Sequence, residues 1–191
     1  SVVASSASAQ LGMFSSEQRA AITSEWAGER FPDGRPKVAD GLLERMKAVT
    51  AEEAWGVLTQ AGYKSQFEGG WKEINAGAPG RRLVGRVVTA VFMPLRPDLN
   101  GVINKAAAAE KRVARGQNSW VIDTLQPGDV LVVDLYGKIE NGTFIGDNLG
   151  TSIYAKTKKG VVVHGSVRDL SGIQEIEGFH GFVRDFHPTA L

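Results

Sequence analysis

Apolar residues in the second half of this chain fall into short blocks, and the segments between the blocks carry helical signals. Asp129-Val-Leu-Val-Val-Asp-Leu135, opened by the turn Gln126-Pro127-Gly128, holds the apolar block Val130 to Val133 and predicts a strand. A second short run, Val161 to His164, predicts another strand. Between them Gly146-Asp147-Asn148 opens a helix over Thr151 to Lys159, which ends at Gly160. Strand, helix, strand is a parallel crossover, right-handed with its helix on one sheet face. An earlier strand is expected over Leu83 to Met93, after the loop Gly77-Ala-Pro-Gly80. Asn104 to Arg115 is an alanine-rich helix.

The N-terminal third reads as helical. Ser15-Ser-Glu-Gln18 has the form of a capping box, and Ile22 and Trp26 follow it at i, i+4 spacing. Val38, Leu42, Met46 and Val49 keep helical spacing. Thr50-Ala-Glu-Glu53 is a second capping box, leading into Trp55 and Leu58 and closed by Gly62. The aromatic residues of this region are expected to be core anchors, and no site is assigned to them. The expected division is a tail over 1–14, a helical extension over 15–80 and an α/β domain over 81–191.

The crossover has a geometric consequence. Gly146 to Leu149 follow the C-terminal end of the first strand, and Arg168-Asp169 follow the second. Both motifs are placed on one sheet edge, where open α/β sheets bind ligands. Amides and the dipole at a helix start favour a carboxylate or phosphate. Arg168 brings a planar donor fork suited to oxyanions, and Asp169 an oxygen ligand suited to a hard divalent cation. The same residues also suit plainer roles: Gly146-Asp147 as a helix cap, Arg168-Asp169 as an exposed ion pair of little worth.

Composition narrows the classes. The 191 residues are 42% hydrophobic, enough for a substantial core. A net charge of +1 gives no electrostatic case for nucleic acid. No stretch reaches the apolar length of a membrane-spanning helix. With no cysteine, disulfides, thiol nucleophiles and cysteine zinc sites are excluded. Ala7-Ser8-Ala9-Gln10 has the small-residue form of a signal-peptidase site, implying a periplasmic or envelope location; a Ser/Ala-rich tail, leaving a cytoplasmic location open, is the other reading.

The segment Gly146-Asp-Asn-Leu-Gly150, with Val161-Val-Val-His-Gly-Ser-Val-Arg-Asp169, resembles the family of the regulator of ribonuclease E activity A. That family includes 4-hydroxy-4-methyl-2-oxoglutarate aldolases, oxaloacetate decarboxylases and proteins called dimethylmenaquinone methyltransferases. The resemblance covers roughly Arg81 to Leu191. Gly28-Glu-Arg-Phe-Pro-Asp-Gly-Arg-Pro36, Glu52-Glu-Ala-Trp55 and Gln66-Phe-Glu-Gly69 look like the N-terminal extension of a longer branch. It implies an α/β layered sandwich of parallel strand–helix–strand units, akin to swivelling phosphohistidine domains, and further strands beyond Leu191.

The resemblance also implies chemistry. Lyase members hold a magnesium or manganese ion through the aspartate after the arginine, which the ribonuclease regulator has lost; here Asp169 is present. The backbone around Gly146, Asp147, Asn148 and Leu149 would bind a small 2-oxo acid, and Arg168 would contact its oxygens. Cleaving the C3–C4 bond leaves an enolate, shared by retro-aldol cleavage to pyruvate and decarboxylation of oxaloacetate. A homotrimer or dimer of trimers is implied, with the site near a subunit boundary. His164 departs from the aspartate or tyrosine of many relatives and is expected to be structural. Three rival classes are a non-catalytic regulator of a ribonuclease-type partner, a methyltransferase, and a phosphohistidine carrier using His164, His180 or His187. No nucleotide-binding glycine loop supports the second, and no surrounding motif supports the third.

Overall fold

A computed structural model describes residues 14–75, 82–112 and 116–190. Ala7–Gln10, the loop Gly77–Gly80 and the last residues of the helix expected to Arg115 lie outside them. Two compact units result, one from the segments up to Ala39 and from Leu95 to Val113, the other from Asp40–Pro94 and Ala114–Leu191.

In the first unit, α1 spans Ser16–Ile22, and the Ser15–Gln18 capping box forms in both directions. The helix stops before Trp26. The Arg30 guanidinium takes the Thr23 and Trp26 carbonyls at 2.6 and 3.3 Å, so the chain turns there without leaving those acceptors bare. The unit's other helix, α4, spans Pro97–Ala109; proline at its first position starts it seven residues earlier than alanine content suggests (97 against 104).

The second unit opens with α2 (Asp40–Met46) and α3 (Ala51–Gln60), the latter started by the Thr50–Glu53 capping box. Neither buries a residue, and Trp55, Tyr63 and Phe67 are exposed rather than core anchors. The five-stranded sheet follows, with β1 Lys72–Ile74, β2 Arg86–Val91, β3 Asp129–Asp134, β4 Val161–Val167 and β5 Gly181–Phe186 in the order β1-β5-β4-β3-β2. Strands β2 to β5 run parallel, and β1 is antiparallel to β5. The architecture is the expected mixed α/β type.

Helix α5 (Gln117–Asp123) precedes β3, α6 (Asp147–Thr157) joins β3 to β4, and α7 (Leu170–Gln174) joins β4 to β5. β3 and β4 lie in the sheet interior, where Leu131, Val133, Val161, Val163 and Val167 are at most 1% exposed. Burial on both faces explains why they read as unbroken apolar runs. Ile153 of α6 and Ile173 of α7 are fully buried in the same core. α6 ends at Lys158, which takes the left-handed conformation and donates its amide to Tyr154.

Two features shape the sheet edge. β4 runs to Val167 rather than stopping at His164, because Gly142–Ile145 returns alongside it. Ser166 donates its amide to Gly142, while Phe144 and Arg168 exchange amide bonds with this region, to Ser166 and Ile145 respectively. Gly165 eases the approach: a Cβ there would sit 3.0 Å from Gly142 O. At the other side β1, three residues long, is held by Ile74, which is fully buried. Burying one such side chain contributes about 1.5–3 kcal/mol.

Candidate active site

The two motifs meet at the C-terminal edge of the parallel strands. Arg168 donates its backbone amide to Ile145 at 3.0 Å, which seats Arg168-Asp169 directly against the start of α6. Gly146, the residue before that helix, is needed for the approach. A Cβ on it would stand 2.2 Å from Asp169 Oδ2 and 3.2 Å from both Arg168 Cγ and Nε. Its φ of −118° is ordinary, so glycine is required here by space rather than by backbone conformation.

Arg168 Nε and Asp169 Oδ2 are 3.3 Å apart, with side chains 35% and 48% exposed. At that exposure the pair adds little to stability, about 0–1 kcal/mol. Asp169 has φ +55° and caps α7, a left-handed conformation that aspartate tolerates better than most residues. Arg168 and Asp169 also line an open depression of about 200 Å³, with Val167, Leu170, Phe186 and His187 around them.

The first turn of α6 differs from a simple side-chain cap. Gly146 is the N-cap and provides no capping side chain, while Asp147 is already helical. The Asp147 carboxylate accepts the Asn148 amide at 2.7 Å and the Asn148 side-chain amide at 3.2 Å. It is a negative charge at the positive end of the helix dipole. Asn148 is exposed, and Leu149 packs its side chain on the core, leaving only its backbone at the edge. Gly172 lets α7 approach: a Cβ there would lie 2.8 Å from Asp147 Cβ.

The donor chemistry at Asp169 fits a hard divalent cation. It is a half-exposed carboxylate, and an oxygen donor is what such a cation prefers. Among the described residues no cluster of three or more His, Cys, Asp or Glu side chains could hold a metal. A cation at Asp169 would draw the rest of its shell from water and substrate, which Mg²⁺ accepts and zinc sites rarely do.

The three histidines separate clearly. His164 Nδ1 pairs with Asp134 Oδ1 at 2.8 Å across the β3–β4 register, and this hydrogen bond is the largest cause holding the Asp134 carboxyl below its ordinary range. It lies inside its strand rather than at its end, with Nδ1 hydrogen-bonded. His180 is buried against Glu73, at the strands' opposite end from Arg168. His187 joins the depression. Sequence reasoning assigned it no part there, because only the β4–β5 pairing, Val167 with Phe186, brings it beside Arg168.

This fold finds its counterpart in known proteins. The chain belongs to the RraA-like family (Aldolase/RraA), which it matches over residues 36–190. Among solved structures it is similar to RraAS2 of Streptomyces coelicolor, an unusual member of the RNase ES inhibitor RraA protein family. The identity is 26% and the TM-score 0.63, covering 81% of this chain and 68% of that one. An uncharacterized protein from Pseudomonas syringae pv. tomato shares the fold at 19% identity and a TM-score of 0.58, covering 85% of this chain and 64% of that one. A protein described among novel cellulases from gut-associated microbes shares it at 17% identity and a TM-score of 0.59, covering 86% and 64%. The chain thus spans about two thirds of the length of these structures. No described helix is long and apolar enough to cross a membrane.

Proposed function

We propose that this chain is a divalent-metal-dependent carbon–carbon lyase acting on a small 2-oxo acid. The reactions are retro-aldol cleavage of 4-hydroxy-4-methyl-2-oxoglutarate to pyruvate, decarboxylation of oxaloacetate, or both. One observation carries the reading: Asp169 and Arg168, both part-exposed, are seated against the first turn of α6 through the missing Cβ of Gly146.

Each residue has a defined task in that reaction. Asp169 would hold the cation, Mg²⁺ or Mn²⁺, which when bound supplies positive charge to the substrate's carboxylate and keto oxygens. Arg168 presents its donor fork to the same oxygens. As the C3–C4 electrons move toward C2, charge gathers on the keto oxygen and the guanidinium meets it there. In the aldol case the C4 hydroxyl gives its proton to water and C4 leaves as a carbonyl; in decarboxylation C4 leaves as CO₂. Both leave the enolate of pyruvate, which takes a proton from water at C3. The α6 dipole orients the substrate carboxylate. Because the Asn148 amide already serves Asp147, the other backbone groups of Gly146–Leu149 would do the binding.

Magnesium-dependent pyruvate release, absent in Asp169→Asn, tests the proposal. The second reading is a non-catalytic regulator of a ribonuclease-type partner, favoured by the likeness to RraAS2; a protein that binds such a partner and releases no pyruvate would establish it. We also propose a homotrimer or dimer of trimers, with the site near a subunit boundary. Light scattering that finds a monomer at micromolar concentration would refute that assembly.

A further inference from the structure

Resting on the lyase reading, we infer that His187 is a specificity-determining residue that binds the distal carboxylate of a dicarboxylic 2-oxo acid through its Nε2–H. The ring is fixed by its neighbours. The Thr189 amide, which can only donate, points at His187 Nδ1 at 3.4 Å. The Thr189 hydroxyl lies 3.0 Å from the same nitrogen. That hydroxyl oxygen accepts the Asn141 amide at 2.8 Å, which leaves its own hydrogen for Nδ1. The amide contact makes Nδ1 an acceptor, and in that tautomer the Thr189 hydroxyl donates to Nδ1 and the ring carries its proton on Nε2. Nε2 has no hydrogen-bond partner among the described residues.

The backbone of His187 is equally constrained. Its amide donates to Val167 O at 3.0 Å, and its carbonyl accepts from the buried Thr143 hydroxyl at 3.2 Å. Val167 is the residue before Arg168, so the histidine and the guanidinium end neighbouring strands at one edge. Both line the depression that contains Asp169. Arg168 is the sole permanent cation among those lining residues, and its fork is committed in the reading above to the reacting end of the substrate. Leu170 and Phe186 line the same depression and offer apolar surface for the carbon chain. A second donor beyond that surface suits a second anionic group, because a charged acceptor roughly doubles the strength of an N–H hydrogen bond.

Two substrates separate this role from a structural one. The compound 4-hydroxy-2-oxoglutarate ends in a carboxylate, and 4-hydroxy-2-oxopentanoate has a methyl group in its place. Pyruvate release from each, with saturating magnesium, gives a ratio of kcat/KM values. His187→Ala should lower that dicarboxylate-to-monocarboxylate ratio about 10-fold or more, the worth of one hydrogen bond to a charged group. His187→Gln, which keeps a donor near the Nε2 position, should recover a large part of it. An unchanged ratio in His187→Ala, including one where both substrates suffer equally, overturns the assignment and leaves the lyase reading standing. Absence of pyruvate release by the wild-type chain from both compounds overturns the role of His187, and absence of release from 4-hydroxy-4-methyl-2-oxoglutarate and oxaloacetate as well overturns the lyase reading.

Discussion

Gly146→Ala should lower turnover by about 100-fold in a protein that still folds. The added methyl would stand 2.2 Å from Asp169 Oδ2. A carbon–oxygen contact is tolerable only about 1 Å further out, so the carboxylate must retreat by that amount. Because the atom displaced is the end of a half-exposed side chain, it can rotate away, and the packing cost stays near the low end of overpacking, about 1 kcal/mol. Alanine is also a poorer N-cap than glycine, by roughly 1 kcal/mol at most. Together these lower Tm by about 2–8 °C for a chain of this size. Catalysis is far less tolerant: a displacement of about 1 Å at a positioned group costs on the order of 100-fold in rate. Steady-state pyruvate release with saturating magnesium, alongside a thermal melt, measures both quantities. Gly160→Ala provides the contrast, since its Cβ would fall 1.6 Å from the backbone oxygen of His180, which cannot rotate away. That variant should fail to fold stably. Gly146→Ala with wild-type kcat and a lowered Tm would refute the reasoning, because Asp169 would then have no positional role.

Other variants test the remaining parts. Arg168→Lys keeps the charge but loses the planar fork, so kcat should fall by roughly 10²–10³ with a smaller change in KM; equal kcat in steady-state assays would remove Arg168 from the reaction. Asp147→Ala should cost only about 0.3–1 kcal/mol by denaturant unfolding, the worth of a charge at a helix start rather than of a capping side chain. Asp134, held below the ordinary aspartate range chiefly by its His164 hydrogen bond, contributes stability that is present above about pH 4 and lost as the pH falls through its depressed value. Asp134→Asn should therefore flatten the acid side of a urea-midpoint profile and leave turnover near pH 7 intact; an unchanged acid slope would exclude the contribution.

The readable parts of this fold were those fixed by local pattern. β3 and β4 are legible because their apolar runs lie in the sheet interior, and α6 because Gly146 and Gly160 bound it. Crossover topology alone places Gly146 and Arg168-Asp169 at one edge. The parts that were not legible depend on distant partners. Lys72-Glu-Ile74 offers one apolar residue, and only its pairing with Gly181–Val183 makes it a strand within a region that reads as helical. The extension of β4 past Gly165 depends on the return of Gly142–Ile145. α5 and α7, of seven and five residues, are too short for a periodic pattern. His187 carries no motif of its own. Its place beside Arg168 follows from the β4–β5 register, which local sequence does not specify.

The central claim is that Asp169 holds the cation on which turnover depends, and its most direct test is pyruvate release by Asp169→Asn across a magnesium titration. The substitution is nearly isosteric at a half-exposed position, so the fold should change by no more than about 0.5 kcal/mol. The account predicts wild-type release that rises with magnesium to saturation and no magnesium-dependent release in Asp169→Asn at any concentration. Release by Asp169→Asn at the wild-type rate, with the same magnesium response, would make Arg168-Asp169 only a surface ion pair and contradict the lyase assignment.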